Sequence, residues 1–251
     1  GHEMSRVFSD KLFEQDKRMF TEQIISGIKK IGLSPALKNI GAQVFGHFKV
    51  NQNDETEDDD GYQEYGTVRP YTHYMTIDQL TNMFQNHINN YQILRRISDD
   101  RLVMFNAQAE HIVRIHRVLS KPFGHIVLLG KEGTGRHIAA KVACSLAGIE
   151  YIDYNTGYSF RDDLKGTLQK SISGAKGFAV VVSEEMLLRP EIAADVIKIL
   201  HFSALHTMFT QTEFEEILDD CISAAKANNQ NESRSNLIRL FADRVNENLH
   251  L

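Results

Sequence analysis

Cysteine is scarce, basic clusters are absent and no apolar run reaches membrane length, and each shortage removes a class of function. The chain of 251 residues has two cysteines, Cys144 and Cys221, outside any CxxC or Cys/His framework. A disulfide scaffold or a thiolate zinc site therefore has no basis, and a reducing intracellular compartment is expected. No stretch approaches the ~18 apolar residues of a membrane helix, and the start lacks the charged-then-apolar pattern of a secretory signal, so no membrane partner is expected. Lysine and arginine number 28 against 33 acidic residues, a formal charge of -5, and no basic face stands out. Nucleic acid is not an expected partner either. HExxH, a nucleophile elbow and zinc-ligand spacings are missing. His111 with His116, and His201 with His206, stand about 140° apart around a helix, so neither pair shares a face and no metal site is expected. Asn231-Glu232-Ser233 matches a glycosylation acceptor but has no meaning in an intracellular chain. No internal repeat is present.

What the chain does have is a globular composition, 42% hydrophobic and 24% charged, at a length sufficient for one large domain plus an appendage. Gly1-His2-Glu3 ahead of Met4 is read as a leftover tag and kept out of the fold reasoning. The spacing of Phe20, Ile24, Ile28 and Ile31 predicts a helix from Val7 to Ile31, ended by Gly32 and Pro35. An irregular stretch with Val44-Phe45-Gly46-His47-Phe48 follows. The dense acids from Asp54 to Asp60 repel one another and read as a solvated loop, docking to a basic partner being the other reading. Thr76 caps a helix bearing Ile77, Leu80, Phe84, Ile88 and Tyr91, and a second helix carries Ile112, Ile115 and Leu119 up to Pro122 and Gly124.

From His125 the pattern changes to alternating strand and helix. His125 to Leu129 reads as a strand, a glycine loop follows, and an apolar helix runs to Ala147. Next come a strand at 149–154, a helix at 162–172 and the β-branched run Gly177 to Val182, of the kind buried on both faces. The fold class is thus α/β, a doubly wound parallel sheet with right-handed crossovers and flanking helices. A helix over 191–205, an amphipathic helix bearing Phe214, Ile217, Leu218, Cys221, Ile222 and Ala225, a polar loop at 228–235 and a helix bearing Leu237, Leu240, Phe241 and Val245 complete the chain before a strand begins at Asn248.

The loop is the chemical centre of the sequence. Gly130 and Gly135 occupy the glycine positions of G-x-x-x-x-G-K-[ST], with Gly133 between them and a strand-before, helix-after context. Such a loop grips phosphate because its backbone N–H groups converge ahead of a helix N-terminus. The candidate binding residues are Gly130, Lys131, Glu132, Gly133, Thr134, Gly135, Arg136, His137 and Ile138. Arg136 stands at the lysine position and retains the charge, although a planar fork does not reproduce a compact ammonium. His137 stands at the hydroxyl position, where an imidazole is a poor ligand for Mg²⁺. The other reading is a tight strand-to-helix turn with no ligand. Glu184 and Glu185 follow Val182, where a phosphate-loop ATPase keeps its metal-orienting and water-positioning acids, so they are the candidate catalytic pair. Two solvated loop acids are the alternative.

Several collinear motifs then resemble the fourth AAA+ module of dynein heavy chains. Ala109 to Leu119, Lys121-Pro-Phe-Gly-His125 and Leu128 to Arg136 are similar to that family's EHIxRIxRVxxxPxGxxLLxGxxGxGR pattern. Ser5 to Leu12 with Asp16 to Phe20 resembles the RVFxDRL stretch closing the preceding module's small domain. Val44 to Phe48 resembles its LFGDF segment, Tyr158 to Lys165 its WREDLK helix, and Phe241 to His250 the lead-in to its sensor strand. The resemblance implies a P-loop AAA+ parallel sheet flanked by helices, truncated at the sensor strand, with a helical N-terminal extension. It divides the chain into 1–35, the end of the preceding module, 36–100, an N-terminal segment with the acidic loop, and 101–251, the large subdomain. It implies ATP or ADP as cofactor, with adenine near Val44, Phe45 and Gly46, and a structural or regulatory nucleotide site in a microtubule motor. Expected partners are neighbouring AAA+ modules, the microtubule through a stalk outside this sequence, and intermediate and light chains through a tail. The arginine points to a ciliary dynein, in cytoplasm, cytoskeleton and axoneme. His137 in place of glutamine, serine or threonine, Glu184 in place of aspartate and the missing NSGxxP turn after the next helix depart from the family pattern and count against Mg²⁺. A catalytically weak chain is expected, since a missing arginine finger alone costs ~10³ to 10⁵ in rate. The alternative is a nucleotide-free structural module, which predicts Arg136 turned away from the loop.

Overall fold

The computed structural model describes residues 2–32, 44–46, 72–74, 76–95, 102–154, 160–172, 177–227 and 231–251. The acidic run 54–60 lies outside them. The chain divides into two compact units, one formed by Gly1–His47 with Pro70–Ala109, the other by Phe48–Arg69 with Glu110–Leu251.

In the first unit, the single helix expected over 7–31 is two: α1 (His2–Phe8) and α2 (Glu14–Lys30), separated by a 3-10 turn at Ser9–Lys11. The break falls at Leu12 and Phe13, both extended. His2 and Glu3, set aside as tag residues, are part of α1. The stretch read as irregular contains β1 (Val44–Gly46), paired antiparallel with β2 (Thr72–Tyr74). Period-based reading overlooks a three-residue strand because it contains too few alternations to count. α3 (Ile77–Arg95) begins as expected, with Gln79 N–H donating to the Thr76 hydroxyl at 3.3 Å. Its buried positions Leu80, Phe84 and Ile88 recur every four residues, one face of a helix. Gln85 ties that helix to the following segment, its amide donating to Leu102 O at 2.9 Å and its oxygen accepting from Met104 N at 2.7 Å.

The helix α4 (Asn106–Leu119) buries Ile112, Ile115 and Leu119, as its spacing predicts. In the second unit, α5 (Arg136–Leu146), β3 (Ile149–Asp153), α6 (Phe160–Ile172) and β4 (Gly177–Val181) alternate. There follow α7 (Glu184–Leu187), α8 (Pro190–Leu200), α9 (Gln211–Ala227), α10 (Arg234–Asn248) and β5 (Leu249–His250). The sheet order is β3-β4-β5, parallel throughout. This is the α/β fold the alternation predicts. β4 is central and buries Phe178, Ala179 and Val180, because helices cover both faces of a parallel sheet. The helix expected over 191–205 instead ends at Leu200, and a 3-10 turn spans Phe202–Met208.

The segment His125 to Leu129, expected as a strand, does not form one. Among the described residues its backbone bond toward the sheet is the one from Ile126 N–H to Leu251 O at 2.7 Å, and Val127 and Leu129 remain 83% and 89% exposed. Apolar sequence alone does not make a strand; ladder partners do.

One core joins the sheet to α6, α8, α9 and α10, with Leu164, Leu168, Ile199, Ile217 and Phe241 nearly inaccessible. Two polar ties fix the helices. Thr210 and Glu213 form a capping box: Glu213 N–H donates to the Thr210 hydroxyl, Thr210 N–H donates to the Glu213 carboxylate, and Lys165 of α6 donates to the same carboxylate at 2.9 Å. These donors hold the Glu213 carboxyl below its usual range, the Thr210 amide first and Lys165 next. The other tie is Asp195 of α8, buried and gripped by Arg161 of α6 through two bonds of 2.7 Å, with Lys198 at 3.4 Å. Removing one partner of a fully buried pair costs about 3–5 kcal/mol; with Arg161 half-exposed and Lys198 remaining, Arg161→Met is expected to cost about 2 kcal/mol in urea unfolding. Stability equal to wild type would show that Lys198 alone satisfies Asp195.

Candidate functional site

The loop from residue 130 to α5 turns on two left-handed glycines, Gly133 at φ 75° and Gly135 at φ 78°. Side chains other than glycine are strained there, which is why the sequence keeps glycine at both. Thr134 tightens the turn, its hydroxyl donating to Lys131 O at 2.8 Å. Gly135 sits at the N-cap of α5 and no side chain caps this helix. The first amides of α5 thus have no intrahelical acceptor and converge with the positive end of the helix dipole.

Arg136 opens α5 and folds back over the loop. A Cβ built on Gly130 would lie 2.9 Å from Thr134 Oγ1 and 3.3 Å from Arg136 Cδ. The Arg136 stem therefore turns toward Gly130. Its guanidinium has no carboxylate partner among the described residues, and Glu132 has no cationic one. Lys131, Glu132, Gly133 and Thr134 are exposed, and Gly135, Arg136 and Ile138 are half-buried.

His137 faces β3. Its Nδ1 lies 3.0 Å from Tyr151 Oη and 3.9 Å from Asp153 Oδ2. Lys141, one turn further along α5, places Nζ 5.3 Å from the centre of the Tyr151 ring. Burial, with Asp153 and Cys144 adding to it, pushes the Tyr151 hydroxyl far above the usual tyrosine range, so it stays O–H. Tyr151 and Asp153 went unnoticed in the sequence, yet they alternate on β3 and so share the face toward α5. A period-two reading of 149–153 would have found them.

Glu184 and Glu185 lie just beyond β4, as their place after Val182 predicts, but in the first turn of α7 and not in a loop. Ser183 caps that turn, its hydroxyl accepting from Met186 N–H at 3.3 Å. Both acids are exposed, and carboxylates are favoured at a helix N-terminus without any ligand. Val44, Phe45 and Gly46 belong to β1 of the first unit, with Gly46 buried and the other two half-buried.

Chemically, the loop offers backbone amides and an uncommitted guanidinium, which suit a polyphosphate. It offers a hard cation little: no hydroxyl stands at 137, and Asp153 already faces the imidazole. No group of three metal-ligating side chains occurs among the described residues.

A glycine loop feeding a helix beside a parallel sheet, with acids beyond a neighbouring strand, defines a P-loop α/β module. The family is narrower than that class. Residues 101–251, more than half of the chain, match the P-loop containing dynein motor region D4, and the chain belongs to that family, within the AAA+ motor region of dynein heavy chains. It is 27% identical over its full length to dynein axonemal heavy chain 2 of Mus musculus and 24% identical over its full length to dynein axonemal heavy chain 6 of Homo sapiens. It is also 29% identical, over 68% of its length, to the dynein-1-beta heavy chain of the flagellar inner arm I1 complex of Chlamydomonas reinhardtii. The chain spans 6% of the first two relatives and 4% of the third.

Proposed function

We propose that this chain is the fourth AAA+ module of a ciliary dynein heavy chain and that it binds ATP or ADP on Gly130 to Ile138 as a structural or regulatory site. In this reading the divisions at 35 and 100 separate the preceding module's end and the N-terminal segment from the large subdomain. The nucleotide tunes a microtubule motor of the axoneme whose ring neighbours, stalk and tail-bound intermediate and light chains lie in the rest of the heavy chain. Glu184 and Glu185 are the acids available for hydrolysis, which stays slow because the hydroxyl that would hold Mg²⁺ is replaced by His137.

The observation that carries the reading is Arg136, folded along Gly130 with its guanidinium uncommitted among the described residues. A guanidinium with no internal partner beside uncapped helix amides is a charge available to an anion. Calorimetric titration with ADP is expected to show binding, weakened by about tenfold or more in Arg136→Ala, the scale of one charge-assisted hydrogen bond. No heat at millimolar ADP would overturn the binding claim and leave a nucleotide-free structural module. Steady turnover lost in Glu185→Gln would instead make the chain a working hydrolase.

A further inference from the structure

We propose that this loop selects a nucleoside diphosphate taken without its metal, so that ADP binds with no need of Mg²⁺ and ATP binds more weakly than ADP. The inference rests on the nucleotide reading above and adds to it which nucleotide the site takes. It begins from a mismatch of ligands. A phosphate loop of this class uses a divalent cation to bridge the β- and γ-phosphates and to neutralise the charge around them. The residues present here do not fit that ion. Position 137, from which a hydroxyl would reach the metal, carries an imidazole engaged with β3, its Nδ1 3.0 Å from Tyr151 Oη and 3.9 Å from Asp153 Oδ2. Thr134, the loop's one hydroxyl, donates to Lys131 O at 2.8 Å. No group of three histidine, cysteine or acidic side chains converges on a cation position among the described residues.

The same contact locates the acids that a metal would have offset. His137 ties the start of α5 to Asp153, and Asp153 lies opposite Val181 in the register of β3 with β4. Glu184 and Glu185 come three and four residues after Val181. Asp153, Glu184 and Glu185 therefore stand at the end of the sheet where α5 begins. Unscreened by a cation, they disfavour each further negative charge brought to that end. The favourable charge is limited. It consists of the uncapped amides of α5, Arg136 folded along Gly130, and Lys131, with Glu132 against them. Lys141 is set over the Tyr151 ring, 5.3 Å from its centre. Amides and one guanidinium suit a diphosphate. A γ-phosphate adds charge that, in other sites of this class, the metal meets.

The test is calorimetry on the whole chain with ADP and with the imido analogue of ATP, each in Mg²⁺ and in EDTA at constant ionic strength. Wild type is expected to bind ADP no more tightly in Mg²⁺ than in EDTA. In EDTA it is expected to bind ADP about fivefold or more tightly than the analogue, a modest fraction of one charge-charge interaction near a protein surface. His137→Thr, at an exposed position, supplies the missing hydroxyl, and Mg²⁺ is expected to tighten its ADP binding by about fivefold or more. Far-UV circular dichroism verifies that the variant is folded. Wild-type ADP binding that Mg²⁺ strengthens, or an analogue that binds as tightly as ADP in EDTA, overturns this inference and leaves nucleotide binding standing. A folded His137→Thr variant as indifferent to Mg²⁺ as wild type overturns it too, since position 137 is then not what excludes the ion. Absence of binding by either nucleotide removes both readings.

Discussion

Gly124→Ala is expected to cost about 3 kcal/mol or more, enough to populate unfolded chain under mild denaturant. A Cβ at this position would overlap Val118 O outright and lie 2.8 Å from Lys121 O and 2.9 Å from Val118 C. All three are backbone atoms at the end of α4, so no rotamer change relieves the overlap and the turn itself must move. That turn is tied to α10 and to β5 and the residue after it. Phe123 N–H donates to Asn246 O at 3.0 Å, Gly124 O accepts from His250 Nδ1 at 3.0 Å, and Ile126 N–H donates to Leu251 O at 2.7 Å. Phe123 is held at φ 60°, the single non-glycine residue with positive φ among those described, so the turn is already strained before the substitution. Urea unfolding followed by circular dichroism reads the effect as a lowered midpoint with unchanged slope. Gly166→Ala supplies the opposite sign. Gly166 sits within α6 with nothing within 4 Å of a new Cβ, and alanine there should stabilise by about 0.5–1 kcal/mol. Gly124→Ala as stable as wild type would mean that the α4 turn does not pack as described.

These two glycines show where local reading of the sequence succeeds and where it ends. A helix with a long buried face is legible: Leu80, Phe84 and Ile88 on α3, and Ile112, Ile115 and Leu119 on α4, announce themselves by spacing. So does β4, whose β-branched run is buried on both faces. Gly124 was legible as a helix breaker, but not as a residue pressed against Val118 O, because that contact depends on how the turn closes. The same limit explains the segment 125–129, which has a strand's composition and, among the described residues, a single backbone bond toward the sheet, and β1, which is a strand only by virtue of β2 nearly thirty residues later. Period measures a segment against itself, whereas strand pairing and register are relations between segments. The glycine loop was legible as a turn into a helix, since its glycines, the helix and the side chains at 136 and 137 form one continuous stretch. Its second layer was not. Tyr151 and Asp153 reach His137 from another element, and only the crossover from α5 into β3 brings them there.

Acid is expected to unfold the second unit earlier than its carboxylates alone would dictate, and His250 is the reason. It is 1% exposed, and its Nδ1–H donates to Gly124 O at 3.0 Å. That bond fixes the tautomer, leaving Nε2 as a bare lone pair that is buried with no hydrogen-bond partner. Protonation would place a charge and an N–H into that apolar surrounding. Burial accordingly pushes the His250 pKa down to about 4, with His125 nearby adding to the depression and the Gly124 carbonyl partly offsetting it. Burial lowers His125 as well, and its Nδ1 is already engaged as acceptor of Leu251 N–H at 3.1 Å. The sign follows from proton counting. A histidine depressed in the folded state binds its proton more readily when unfolded, so the stability it protects is complete above the unfolded value near 6.5 and drains away as pH falls toward 4. At 1.36 kcal/mol per unit, His250 alone should remove about 3 kcal/mol across that window. His250→Asn keeps an N–H near the Nδ1 position and removes the titrating nitrogen, so urea midpoints measured from about pH 7 to about pH 4 should fall much less steeply in the variant. If wild type and His250→Asn lose stability in parallel, the acid sensitivity belongs to the carboxylates and the other histidines, and the buried imidazole beside Gly124 is not where the second unit takes up its protons.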